Sequence, residues 1–173
     1  MHEAHGGHSD DPMTMKVSIT LAILAVLVAG VTLLGHRAST DIGSLQTQTA
    51  NQWAFYQAKN VRSKLLQVGS DILSVATVTD KEKAASMAEG YKKEVERYEG
   101  EMEKISEQAK EYQHELETIR RRADRFDAGE GFLEFGLILC SITLLTKKNA
   151  FWFSGMLLAA VGIGVAATGF LVH

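Results

Sequence analysis

The chain has 173 residues with 18 basic and 21 acidic side chains, a formal net charge of −3, and one cysteine. So even a balance argues against a strongly basic nucleic-acid-binding domain, and one cysteine excludes an intrachain disulfide. The near-neutral average hydropathy hides a segregation: 31 charged residues, 15 basic and 16 acidic, lie between Arg37 and Asp127, and the flanks supply three apolar runs.

Residues 1–16 are polar, hold the only proline (Pro12) and have no period, which predicts a disordered tail. His2, His5 and His8, with Glu3, Asp10 and Asp11 nearby, are suitable ligand types for zinc, nickel or copper. Their spacing sets no four-ligand geometry, so weak surface capture stands against a solvated tail with no ion. The first apolar run, Val17 to Leu34, has eighteen residues without a charge. A helix needs about 20 apolar residues to cross a hydrocarbon core about 30 Å thick, so residues 17–35 are expected to span a membrane. The run exceeds the ~7–15 residues of a signal core, and Leu34, Gly35, His36, Arg37 offer no A-x-A-like cleavage site, so the span is expected to be retained.

Residues 37–127 are expected to lie outside the membrane as two helices. Ser39, Thr40 and Asp41 offer capping oxygens for the first, about 41–76. Its apolar seam is Ala54, Ala58, Val61, Leu65, Val68, Ile72, Val75, with Trp53 and Tyr56 beside it. Thr77 to Lys83 breaks the pattern, and Thr79 with Glu82 makes a capping box for the next helix, about 80–127. That helix carries the longer seam: Ala84, Ala88, Tyr91, Val95, Tyr98, Met102, Ile105, Ala109, Tyr112, Leu116, Ile119, Ala123, Phe126. Steps of four and three alternate without a slip, the repeat of helices locked side by side. The two form an antiparallel coiled-coil hairpin with one seam buried on each limb. Bulky residues such as Tyr91, Tyr98 and Tyr112 alternate with small ones, which suits a packed bundle. Two hairpins in a four-helix bundle, or a larger ring, would cover Trp53 and Tyr56 and make a homo-oligomer.

The second apolar run, residues 128–146, includes Glu130 and Glu134. Continuing the seam past Phe126 puts Glu130 on it, followed by Leu133, Leu137, Cys140 and Leu144, with Glu134 alongside one turn deeper. Carboxylates inside a span usually face a bundle interior or a water-filled cavity, so the pair is a candidate ion or proton site. The plainer reading puts Glu130 at headgroup level and pairs Glu134 with Arg125 or the end of the first span. After a Lys147–Lys148 turn comes the third run, residues 150–172, with small residues at Gly155, Ala159, Gly162, Ala166 and Gly169. Small side chains at this spacing let helix backbones approach closely, and Ala22, Ala25, Ala29 and Gly30 offer a counterpart on the first span. The fold class is therefore all-α: three transmembrane helices with a long helical hairpin between the first and second.

Arg120, Arg121, Arg122 and Arg125 are placed to touch anionic lipid headgroups if they face the cytoplasm. Long loops translocate largely regardless of charge, so the short Lys147–Lys148 turn carries the vote, which puts the hairpin on the periplasmic side. No phosphate loop, nucleophile elbow or zinc-protease motif occurs. The expectation is no enzyme, no cofactor and no nucleic acid. The glutamate-rich stretch Glu94 to Glu117 reads as a solvated face.

Asn51-Gln-Trp-Ala-Phe-Tyr-Gln-Ala-Lys-Asn-Val-Arg62, preceded by Gly35-His36-Arg37-Ala38, resembles the bacterial domain-of-unknown-function 4337 family. Arg122-Ala-Asp-Arg-Phe-Asp127 and the stretch from Ser141 to Lys148 fit the same pattern. The resemblance implies a bacterial inner-membrane protein with three spans and a helical middle, and implies no activity or catalytic residue. Together these readings point to a non-enzymatic homo-oligomeric scaffold or accessory subunit whose partners are the lipid bilayer, further copies and another membrane protein. The alternatives are an ion or proton pathway through Glu130 and Glu134, or a sensor lacking its own output domain.

Overall fold

The computed structural model describes residues 12–77 and 79–172. Three helices occupy nearly all of them: α1 (Pro12–Val75), α2 (Lys81–Thr146) and α3 (Asn149–Thr168), the last running into a 3₁₀ turn at Gly169–Leu171. Among the described residues there is no strand. Helix α1 opens on the only proline, at the first helical position, where a missing N–H and a fixed φ cost nothing. Residues 12–16 are thus helical, not part of a tail; His2, His5 and His8 lie outside the described residues.

No break separates the first apolar run from the limb that follows it. Ser39, Thr40 and Asp41 do not cap a new helix, because α1 passes straight through them; the Thr40 hydroxyl instead donates to the His36 carbonyl at 3.0 Å. Thr20, Thr32 and Thr47 bond back in the same way at 2.9 Å each, which satisfies a hydroxyl inside a helix. Helix α2 is likewise continuous from the charged limb into the second apolar run. Its N-cap is Asp80 and not Thr79: an Asp80 carboxylate oxygen accepts from the Lys83 amide at 2.9 Å.

The chain divides into two compact units, Met1–Asp41 with Thr118–His173, and Ile42–Glu117. In the second unit the limbs are antiparallel, since Lys59 meets Glu101 while Gly69 lies against Tyr91. The α2 seam faces inward as its spacing predicts: Val95, Met102 and Ala109 are buried, and Ala84, Ala88, Tyr91, Tyr98, Ile105, Tyr112 and Leu116 are half-buried.

The α1 limb turns a different face inward. Ala54, Ala58, Val61, Leu65, Val68, Ile72 and Val75 are all exposed. The stripe that faces α2 runs two positions earlier: Leu45, Thr49, Gln52, Tyr56, Lys59, Ser63, Leu66, Ser70 and Leu73, each buried or half-buried. A two-residue offset is about 200° around a helix, so the two stripes lie on opposite faces. Room accounts for part of that placement. A Cβ placed on Gly69 would come within 3.2 Å of the Tyr91 ring, and Ser63 and Ser70 are buried on the same stripe. Near Tyr91 a bulky side chain of α2 meets small ones of α1, whereas Tyr98 meets Lys59, which pairs with Glu101, so packing space and this ion pair act together on the inward stripe.

In the first unit α3 packs on α2 backbone to backbone. A Cβ on Gly136 would stand 2.7 Å from the Gly155 carbonyl oxygen, and one on Gly162 would stand 2.7 Å from that of Gly129. Gly155, Ala159, Gly162, Ala166 and Gly169 are all buried. The small-residue seam is therefore used within the chain, against α2. Its counterpart is Gly129, Leu133, Gly136 and Cys140; Ala22, Ala25, Ala29 and Gly30 are exposed. Leu24 joins Leu133, Cys140 and Ala159 in one apolar cluster that brings all three helices together. The Trp152 indole donates to the Thr20 hydroxyl at 3.3 Å, and Phe126 meets Phe170 edge to face at 5.4 Å.

Candidate functional site

Two places combine charge or exposed apolar surface with defined geometry, one in each unit. In the first, Glu130 and Glu134 lie on the apolar segment of α2. Glu130 is half-buried, and one of its carboxylate oxygens accepts from the Thr32 hydroxyl at 2.5 Å. The same hydroxyl lies 2.9 Å from the Val28 carbonyl, so α1 presents a helical side chain to a carboxylate of α2. Glu134 stands one turn further along and is exposed. The seam register thus carries Glu130, but not Glu134, onto a face that packs against α1.

Four arginines precede these carboxylates, and their side chains differ. Arg120, Arg121 and Arg125 are exposed. Arg122 is half-buried, and its guanidinium donates to the Val172 backbone carbonyl at 3.1 Å, which ties α2 to the chain beyond α3. Its Nε–H is buried without a hydrogen-bond partner. Arg121, Asp124, Arg125, Ala128 and Val172 line a shallow concavity beside it. The spacing of four arginines on one helix did not reveal that one of them turns inward.

The second place is the hairpin. Lys59, on the inward stripe of α1, pairs with Glu101 across the limbs, and its ammonium lies 5.4 Å from the centre of the Tyr98 ring. Arg97 lies 5.1 Å from the same ring and also bonds Glu94 at 2.6 Å. The hydrogen bond from Lys59 holds the Glu101 carboxyl below the ordinary glutamate range, and the charges of Lys59, Arg97 and Lys104 act in the same direction against partial desolvation. Trp53 and Tyr56 stack edge to face at 5.6 Å and are half-buried. Tyr91 and Tyr112 are half-buried on the inner face of α2. Sequence reasoning missed the Lys59–Glu101 pair because Lys59 lies outside the apolar seam assigned to its helix. A heptad count over small and polar residues would have found it.

On its outer side the hairpin exposes Val61 (58%), Leu65 (67%), Val68 (55%), Ile72 (57%) and Val75 (84%) in one row. The row is apolar, whereas the outer face of α2 is charged.

Among the described residues, no three or more His, Cys, Asp or Glu side chains come together in a group that could hold a metal ion. Cys140 is fully buried between α2 and α3. His36 and His114 are both exposed. All three helices are long and apolar enough to cross a membrane. A family model described as a domain of unknown function (DUF4337) matches residues 13–172. No curated protein matches the chain, and no solved structure does.

Proposed function

For a chain that belongs to the DUF4337 family, a family whose description assigns no activity, we propose a structural role: a non-enzymatic, multi-pass membrane protein that self-associates as a scaffold or accessory subunit. The observation that carries this reading is the uncovered row Val61, Leu65, Val68, Ile72 and Val75. Five aliphatic side chains, each more than half exposed, lie in one row along the helix, and apolar surface gathered in this way is a candidate interaction site. Three helices of membrane-crossing length and composition support insertion in a bilayer, here read as the bacterial inner membrane. The test is the mass of the full chain in nanodiscs. A defined multiple of the protomer is expected, and a strict monomer across a concentration series would end the proposal.

A second reading, an ion or proton pathway, is favoured by one observation: Glu134 is exposed on an otherwise apolar segment, one turn from the hydrogen-bonded Glu130. Carboxylates at such positions most often serve transport or pairing. Proteoliposomes should show a proton or cation flux that Glu134→Gln abolishes. Equal flux in the two proteins, or none in either, would remove this reading.

A further inference from the structure

We infer that the outward stripe of α1 is the contact between copies of this chain, with three or four α1 limbs parallel around a common axis and the α2 limbs outside. This inference rests on the self-association proposed above and names its interface. The stripe continues in one register through Ser44, Thr47, Asn51, Ala54, Ala58, Val61, Leu65, Val68, Ile72 and Val75, and every one of these residues is exposed. The steps alternate three and four throughout. That period fits another helix lying alongside, because acyl chains impose no repeat on the surface they cover.

Side-chain shape selects the number of copies. In heptad terms the a positions hold Ser44, Asn51, Ala58, Leu65 and Ile72, and the d positions hold Thr47, Ala54, Val61, Val68 and Val75. Two-stranded parallel coils favour β-branched residues at a and leucine at d. With valine at every large d position, and Leu65 at a, the pattern shifts toward three or four strands.

Charge and polarity are compatible with a parallel arrangement of copies. Parallel copies would set Gln57 against Arg62, Lys64 against Gly69 and Asp71 against Ala76 at the flanking positions, with no like-charge pair among them. The outer face of α2 is dense in glutamate and offers no matching apolar surface, so the same stripe on another copy is the fitting occupant. Copies inserted in one membrane share one orientation, and closed cyclic assemblies of such copies fit a parallel arrangement. Asn51 and Thr47 then meet their own counterparts in polar layers, and a lone asparagine at an a position fixes register and copy number.

The experiment uses the full chain in nanodiscs, in a Cys140→Ala background. Ala58→Cys, Leu65→Cys and Ile72→Cys should each form interchain disulfides under mild oxidation, whereas Glu111→Cys, on the outer face of α2, should not. Because Leu65 and Ile72 are already exposed in the single chain, Leu65→Asp with Ile72→Asp leaves the hairpin's own packing intact. It should reduce a three- or four-copy particle to single chains with helicity unchanged by circular dichroism. A particle that survives the double substitution, or one joined through Glu111→Cys, overturns the inference while self-association stands. Crosslinking at Leu65→Cys without Ile72→Cys, in a two-copy particle, indicates antiparallel pairs and also overturns it. A wild-type monomer removes the proposed function, and this interface with it.

Discussion

The close approach of α2 and α3 makes a prediction that one methyl group can test. Adding a Cβ at Gly162 places it 2.7 Å from the Gly129 carbonyl oxygen, 3.0 Å from the Leu133 amide nitrogen and 3.0 Å from the Phe132 Cβ. Two of these atoms are backbone, so no rotamer change relieves the contact. Reaching an ordinary separation requires the helices to part by roughly 0.7 Å, and a gap of 0.5–1 Å forfeits about a quarter to a half of each dispersion contact it opens. Overpacking of this kind typically costs about 1–3 kcal/mol. Alanine is also the better helix former, by about 0.8–1.0 kcal/mol in water, and this acts in the opposite direction. Gly164 provides the control: it lies two residues on in the same helix, and a Cβ there meets nothing within 4 Å. Because both substitutions change propensity alike, their difference isolates the packing. Gly162→Ala should be less stable than Gly164→Ala by about 1–3 kcal/mol. Reversible unfolding in detergent micelles, driven by added SDS and followed by Trp152 fluorescence in a Trp53→Phe background, measures that difference. Equal midpoints for the two variants would refute the argument, since α2 and α3 would then not be held backbone to backbone.

Other outcomes follow from single contacts. Asp80→Ala removes the side-chain acceptor for the Lys83 amide and should cost about 1 kcal/mol in thermal unfolding, with Asp80→Asn nearly neutral; equal losses for both would point away from capping. The Glu101 carboxyl is held down in the folded chain, so the unfolded chain binds the extra proton. Its stabilising contribution is complete above the ordinary glutamate range and is lost as pH falls through the lowered folded value. The loss in melting temperature caused by Glu101→Gln should therefore be largest near about pH 7 and shrink toward about pH 3, and a pH-independent loss would contradict this. Lys147 adopts a left-handed backbone (φ 57°) in the turn between α2 and α3, while its amide donates to the Thr143 carbonyl at 2.8 Å. Lys147→Gly should stabilise by about 1 kcal/mol, whereas Lys147→Ala, which keeps the Cβ, should bring no gain in the same unfolding assay.

Much of this architecture could be read before folding, because some stripes admit only one placement. The α2 seam joins aromatic and aliphatic residues on one face of a helix that is charged on the others, so water itself selects the inner side. The three apolar runs and the small-residue row of the last one were legible for the same reason: composition and period leave few alternatives. The capping of α2 was readable to within one residue, since Thr79 and Asp80 are both competent caps and only backbone geometry chooses between them.

Where two placements were available, the sequence alone could not choose. Helix α1 carries two heptad stripes on opposite faces, and hydrophobicity favours Val61, Leu65 and Ile72 over Ser63, Ser70 and Lys59. The structure turns the polar stripe inward, where Gly69 leaves room for Tyr91 and Lys59 pairs with Glu101 beside Tyr98, and both are properties of the pair of helices, not of either one. The same holds for the glycines of α3, whose spacing announces a close partner without naming it. That α2 is the partner, and that Thr32 is the donor to Glu130, depends on contacts between residues up to 98 positions apart. Periodicity thus determined which residues share a face. Tertiary packing decided which face each helix keeps for itself and which it leaves open.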